Sequence, residues 1–208
     1  MKKFITTIAL QSAENLKLVN YEVQGNSKLV EGAKEATYFP IIPVLKGYVE
    51  EGEEIGVVAI VFDDPSCESN YSAFEKCVNQ IVEQKNLRLK GGVTRVNISM
   101  NQEVDIQVEN FKKIIDVLED NDELYACITY GTKAHTLTFK LALQYADRIK
   151  YNTYISCVVY GQIIDRVKST GRIYDETALF KLDEIVRVLA DQRTENPEEL
   201  MKKILSVE

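Results

Sequence analysis

The stretch ELYACITYGTKAHT, residues 123–136, decides how the rest of the chain is read. It opens on an apolar run, Leu124 to Ile128, of the kind that forms a buried strand of a parallel sheet. It passes through a small polar turn, Thr129-Tyr130-Gly131-Thr132-Lys133. It then continues into an amphipathic helix in which Leu137, Leu141, Tyr145 and Ile149 recur every four positions. A turn between the carboxyl end of a parallel strand and the next helix is where open α/β sheets bind ligands. The first N–H groups of such a helix lack partners and attract anions. Thr132 and Lys133 add a hydroxyl and a fixed cation at that point, so the stretch predicts a phosphate-bearing ligand.

Working outward, strands and helices alternate from about residue 56 to 160. Gly56 to Phe62 is a continuous Val/Ile-rich run that predicts a central parallel strand, ending at Asp63-Asp64-Pro65. The helix after it shows Phe74, Cys77, Val78 and Ile81 at the spacing of one buried face. Gly91-Gly92 predicts a break before a strand from Val93 to Ser99. The next helix carries Val104, Val108, Phe111, Ile115 and Leu118 on one side. After the stretch quoted above, Thr153 to Tyr160 predicts a further strand closed by Gly161. A turn around Ser169-Thr170-Gly171 leads to a last amphipathic helix with Leu182, Ile185, Val186 and Leu189. At the other end, residues 3–10 predict the first strand, followed by a polar turn. Leu16 to Val23 predicts a second, antiparallel piece, and Phe39 to Val49 a helix with Pro40 in its first turn and Pro43 awkwardly placed. The whole predicts a Rossmann-like, three-layer α/β domain with a mainly parallel sheet over residues 1–195. A short C-terminal helix over 196–208 follows, with Asn196 as N-cap and Pro197 at its first position.

Composition narrows the function. The net charge of −7 argues against a protein that grips long nucleic acid through an extended basic face. No apolar run reaches the length of a membrane span, and the N-terminal run is too short for a signal peptide, so the reading is cytoplasmic. Cys67, Cys77, Cys127 and Cys157 show no paired spacing, and with a single histidine neither a metal site nor any other cofactor is expected. Asp63 and Asp64, lying before Pro65, read as a cap and turn in preference to metal ligands. The first-strand turn, Leu10-Gln11-Ser12, has no glycine, which argues against a dinucleotide enzyme, and there is neither a P-loop nor a Gly-x-Ser-x-Gly elbow.

The motifs resemble those of the CARF family, the CRISPR-associated Rossmann-fold sensors of cyclic oligoadenylates. Relatives carry an Asp-Ile-Thr-His-Gly-Phe-Arg type motif at the end of the fourth strand. Cys127-Ile128-Thr129-Tyr130-Gly131-Thr132-Lys133 stands there in this chain, with cysteine, tyrosine and lysine replacing the acid, the histidine and the arginine. A later strand ending in Tyr160-Gly161, then Ile173 to Phe180 and the last amphipathic helix, follow in the family's order. The resemblance covers nearly the whole chain. It implies a homodimer in which the turns after the first and fourth strands line one cleft across the twofold. Its occupant would be a cyclic oligoadenylate, foremost the tetra-adenylate, in type III CRISPR antiviral signalling. Leu10, Gln11, Ser12, Asn101, Thr129, Tyr130, Gly131, Thr132, Lys133, His135, Tyr160, Gly161 and Gln162 are the expected ligand residues. Tyr130 reads equally as a packing tyrosine, His135 as a solvated surface residue, and Ser12 as a turn former. No fused effector is visible, so the chain reads as a stand-alone sensor. The alternative is a metal-independent ring nuclease in which Lys133 stabilises developing charge while Ser12 and Thr132 orient it. A third reading is a Rossmann-like binder of another nucleotide.

Overall fold

A computed structural model describes residues 1–11, 13–193 and 195–206. In chain order the elements are β1 (Lys2–Thr7), a single 3-10 turn (Ala13–Asn15), β2 (Asn20–Val23), α1 (Ser27–Gly32), α2 (Ile41–Tyr48), β3 (Glu54–Phe62), α3 (Ser66–Gln84) and β4 (Arg88–Ile98). They continue with α4 (Val104–Ile115), β5 (Glu123–Cys127), α5 (Lys133–Ile149), β6 (Tyr154–Asp165), β7 (Thr170–Asp175), α6 (Thr177–Asp191) and α7 (Pro197–Leu205).

The seven strands form one sheet in the order β2-β7-β6-β5-β1-β3-β4. From β6 across to β4 every neighbouring pair is parallel, so the expected Rossmann-like α/β architecture is present. β3 is buried along almost its whole length, as a strand covered on both faces must be. Right-handed crossovers put α2 and α3 on one face and α4 and α5 on the other, and α2 touches α3 while α4 touches α5. The chain leaves β1 toward β3 and β4, then returns to β5 and β6 on the other side. The order therefore reverses between β1 and β5, where the crevice of a doubly wound sheet opens. Thr6 of β1 lies level with Cys127 of β5, so the two strand tips end together.

Several sequence expectations are corrected. The piece read as antiparallel is the short edge strand β2, which does run against the core strands although its own partner, β7, lies parallel to it. Both run against the core strands, because β7 folds back antiparallel on β6. The region read as a turn before the last helix is β7 itself. Likewise β6 does not close at Gly161 but continues to Asp165. Gly91 and Gly92 do not break β4. Their positive φ angles accommodate a bulge against Ile55–Val57 inside a continuous strand. Pro43 is the third residue of α2, where an N–H would have no helical partner, so it costs nothing there.

The largest correction concerns the outer helices. Leu137, Leu141 and Ile149 of α5 are exposed, as are Val104 and Val108 of α4. The faces turned to the sheet are instead Phe139, Ala142, Leu143 and Ala146 in α5, and Asn110 and Ile114 in α4. Small residues let α5 approach the sheet closely, while the large aliphatic stripe points outward. By contrast α3 buries Phe74, Val78 and Ile81 as its periodicity predicts. α7 begins at Asn196-Pro197 as expected, although the Asn196 side chain makes no cap hydrogen bond.

Candidate functional site

The site is built where β1 and β5 end. Beyond β1 the chain is clamped by the first turns of α3. The Asn70 amide, fully buried, donates to the carbonyls of Ala9 (2.9 Å) and Gln11 (2.7 Å). The Ser66 hydroxyl donates to the Leu10 carbonyl at 2.9 Å. Asp64 in turn accepts the Ser66 N–H at 2.8 Å, the turn-forming part of the role expected of it, while the N-cap of α3 is Pro65. Leu10 and Gln11 are thus held at the edge of the sheet by residues that sequence reasoning missed. No periodicity marks Asn70 or Ser66, since both sit on the polar-looking start of an amphipathic helix. Ser12 lies outside the described residues.

The turn after β5 is fastened to three neighbours. Thr7 Oγ1 donates to the Tyr130 carbonyl at 2.8 Å, joining the two turns. The Gly161 N–H donates to Thr129 Oγ1 at 2.8 Å, joining β5 to β6. The Tyr130 hydroxyl donates to the Tyr38 carbonyl at 3.1 Å. Burial drives the Tyr130 phenol far above its ordinary range, with the Tyr21 phenol beside it acting the same way. Tyr130 is therefore the packing tyrosine of the two readings. Gly131 has φ +107°, and a Cβ there would stand 3.1 Å from the Phe62 ring, so only glycine fits without strain. At Gly161 a Cβ would collide with Pro40 at 2.4 Å.

Thr132 is the N-cap of α5, but its side chain does not cap the backbone. Its hydroxyl lies 2.8 Å from His135 Nδ1, and His135 Nε2 lies 2.9 Å from the Ser99 carbonyl. A carbonyl only accepts, so Nε2 carries the proton and Nδ1 accepts from Thr132. His135 is buried, with its ring edge-on to Phe62 at 4.9 Å. It is not the solvated surface residue of the two readings: it ties the start of α5 to the end of β4, a long-range role invisible in a lone sequence. Lys133 is different. It occupies the first position of α5, is exposed, and makes no ion pair or side-chain hydrogen bond among the described residues. The first turn of α5 contains no acid. A lysine beside the positive end of a helix dipole is locally unfavourable, by about 0.3–1 kcal/mol.

The structure thus brings Leu10, Gln11, Thr129, Tyr130, Gly131, Thr132 and Lys133 to one edge. The other expected residues differ in position or state. Asn101 lies beyond β4, where its side chain accepts the Glu103 N–H at 2.9 Å. It adjoins α5 through Gln107, whose amide donates to the Asn101 carbonyl at 2.6 Å and whose Oε1 accepts from Thr138 at 2.8 Å, and through Ser99, whose hydroxyl accepts the Asn101 N–H at 3.3 Å. Tyr160 and Gln162 alternate with Gly161 and so project from the opposite face of β6. Both meet Tyr174: the Tyr160 ring stacks on it, and the Gln162 side chain accepts its hydroxyl at 3.0 Å. Gln11 also lines a small hollow of about 80 Å3 with Lys17, Arg166 and Ser169. Sequence reasoning missed this hollow because it read β7 as a turn.

Among the described residues no group of three His, Cys, Asp or Glu side chains is placed to hold a metal ion, and all four cysteines are free. Burial pushes the Cys127 thiol up. No described helix is long and apolar enough to cross a membrane. Comparison with family models and with curated proteins gives no match to this chain. What fold and edge define is a doubly wound, Rossmann-like α/β protein with its open edge at the β1/β5 switch point.

Proposed function

We propose that this protein binds a cyclic oligoadenylate, foremost the tetra-adenylate, in a cleft shared across a homodimer twofold. It would act as a cytoplasmic sensor in type III CRISPR antiviral signalling. One observation carries the reading. Among the described residues Lys133 stands unpaired, and it is exposed at the acid-free N-terminus of a long helix, beside the sheet's topological switch point. Some cations elsewhere in the chain are held by acids, as Lys3 is by Asp122 and Arg95 by Glu68; what sets Lys133 apart is its place at the start of α5. A cation left unpaired where backbone amides also converge suits a phosphate. Two such sites about a twofold suit a ring of phosphates with even symmetry.

Binding is favoured over ring cleavage by the state of the residues that cleavage would use. The Thr132 hydroxyl is engaged with His135 Nδ1 at 2.8 Å, which leaves Lys133 as the open group of these two, Ser12 lying outside the described residues. The test is to incubate the protein with labelled cyclic tetra-adenylate and EDTA, then separate bound and free label and resolve the products. Retention of the intact ring at micromolar protein is the expected result. Linear fragments ending in a 2′,3′-cyclic phosphate would establish the ring nuclease instead. Failure to bind any cyclic oligoadenylate would favour a binder of another nucleotide.

A further inference from the structure

The small hollow beside Gln11 gathers positive charge and gives it no acid. Its lining comes from three stretches far apart in the chain: Gln11 after β1, Lys17 and Val19 before β2, and Ile163, Arg166 and Ser169 of the β6–β7 hairpin. Backbone contacts hold these stretches in place. The Asn70 amide fixes the Gln11 carbonyl at 2.7 Å. The Asn20 N–H donates to the Ser169 carbonyl at 2.9 Å, tying the segment before β2 to the start of β7. β6 runs on from Val159, the partner of Cys127 at the tip of β5, to Asp165. The hairpin therefore projects up to about 20 Å beyond the carboxyl edge of the sheet.

Among the described residues neither Lys17 nor Arg166 makes an ion pair or a side-chain hydrogen bond, and the Ser169 hydroxyl has no partner either. The acid next to Arg166 in sequence is engaged elsewhere. Asp165 accepts the Val167 N–H at 2.8 Å and the Lys168 N–H at 3.0 Å, closing the hairpin turn. Glu14 is exposed on the 3-10 turn and does not line the hollow. Two cations in one concavity repel each other, and a chain of net charge −7 has carboxylates enough to have neutralised them. The hollow at the amino edge has the opposite character, with Glu54, Glu119, Asp120 and Asp122 around Lys90.

We infer that the hollow between the β1 turn and the β6–β7 hairpin is a phosphate-group site. The Arg166 guanidinium presents a planar fork to two phosphate oxygens, and the Lys17 ammonium adds a point charge. Ser169 Oγ and the Gln11 amide are the donors for the remaining oxygens. Size sets the ligand class. Pockets for drug-sized ligands begin near ~300 Å3, whereas this hollow holds about 80 Å3, so it takes one phosphate group and leaves the rest of a larger molecule outside. It shares no lining residue with the start of α5. The group is either one phosphate of a larger ligand lying along the carboxyl edge, which rests on the proposed function, or a free small phosphate, which does not.

The test follows backbone amides of the full chain by heteronuclear NMR as inorganic phosphate replaces chloride at constant ionic strength. It is run on the wild type and on the double variant Lys17→Ser, Arg166→Ser, both at exposed positions. The expected result is a saturable shift at Gln11, Lys17, Arg166 and Ser169 in the wild type, weakened at least about tenfold in a double variant of otherwise unchanged spectrum. The absence of a saturable shift at those amides in the wild type overturns the site, and so does an equal midpoint in the double variant. A second arm measures cyclic tetra-adenylate affinity in the same two proteins. With the phosphate shifts present, a loss of at least about tenfold in the double variant assigns the group to the ring. Unchanged ring affinity, or a wild type that binds no ring, assigns the site to a free small phosphate. The last result removes the proposed function and leaves this site standing.

Discussion

Two lysines at opposite edges of the same sheet show how this chain divides structure from function. Lys3, on β1, points to the amino edge and is almost fully buried. It lies 2.6 Å from the Asp122 carboxylate and 3.1 Å from Glu119, and donates to the Val117 carbonyl at 2.8 Å. Lys133, at the carboxyl edge, is exposed and bonded to nothing described. At one edge a buried cation has been given two carboxylates and a carbonyl as partners by the fold. At the other a cation has been placed against a helix dipole and left open. Charge that is paired inside a protein holds the fold in register, and the open cation at the other edge is the group to which the proposal assigns the phosphate.

The contrast breaks most sharply at Lys3. Replacing it by methionine strands the buried Asp122 carboxylate, and unfolding in urea is expected to show a loss of about 3–5 kcal/mol. Ring binding by the protein that remains folded should be unchanged. Lys133→Ala should do the reverse: affinity for cyclic tetra-adenylate falls at least about tenfold, about 1.4 kcal/mol. Unchanged affinity, measured by titration calorimetry, would remove Lys133 from the site. The amino edge should also respond to acid. Lys3 bonds Glu119 and holds its carboxyl below the usual carboxylate range, with Lys90 adding to the effect. That contribution is present above the unfolded carboxylate value and is lost as pH falls through the lowered folded one. The urea midpoint should therefore drop on going from pH 6 to pH 3, and less so in Lys3→Met. The smallest effect is expected at the carboxyl edge without ligand. Lys133→Ala should raise unfolding stability by a few tenths of a kcal/mol, since it relieves a cation at a helix N-terminus. A loss of stability there would mean that Lys133 has a structural partner.

The same division explains what could be read from the residues. β3 and β5 are continuous apolar runs and α3 shows a single buried face, so the doubly wound core was legible. α5 and the first half of α4 were misassigned because apolar side chains also line their outer sides, whereas Phe111, Ile115 and Leu118 do pack on the core. Periodicity selects the stripe of largest side chains, while close approach to a sheet selects the smaller ones, Ala142 and Ala146 among them. β7 was missed because Thr170–Asp175 is short, partly charged and carries a glycine at its second position. β4 was cut short because paired glycines in a sequence signal a turn as readily as a bulge. At the site, Lys133 lies at the start of its helix, as its place after the strand and turn implied. His135 was not legible, since Phe62 and Ser99, which bury it, are distant in the chain.

The central claim is that two carboxyl edges meet over one anionic ring. Titration calorimetry of the purified chain with cyclic tetra-adenylate tests it most directly. The account predicts saturation at one ring per two chains, with affinity that weakens as salt is raised. Saturation at one ring per chain, or no heat at micromolar protein, would contradict it.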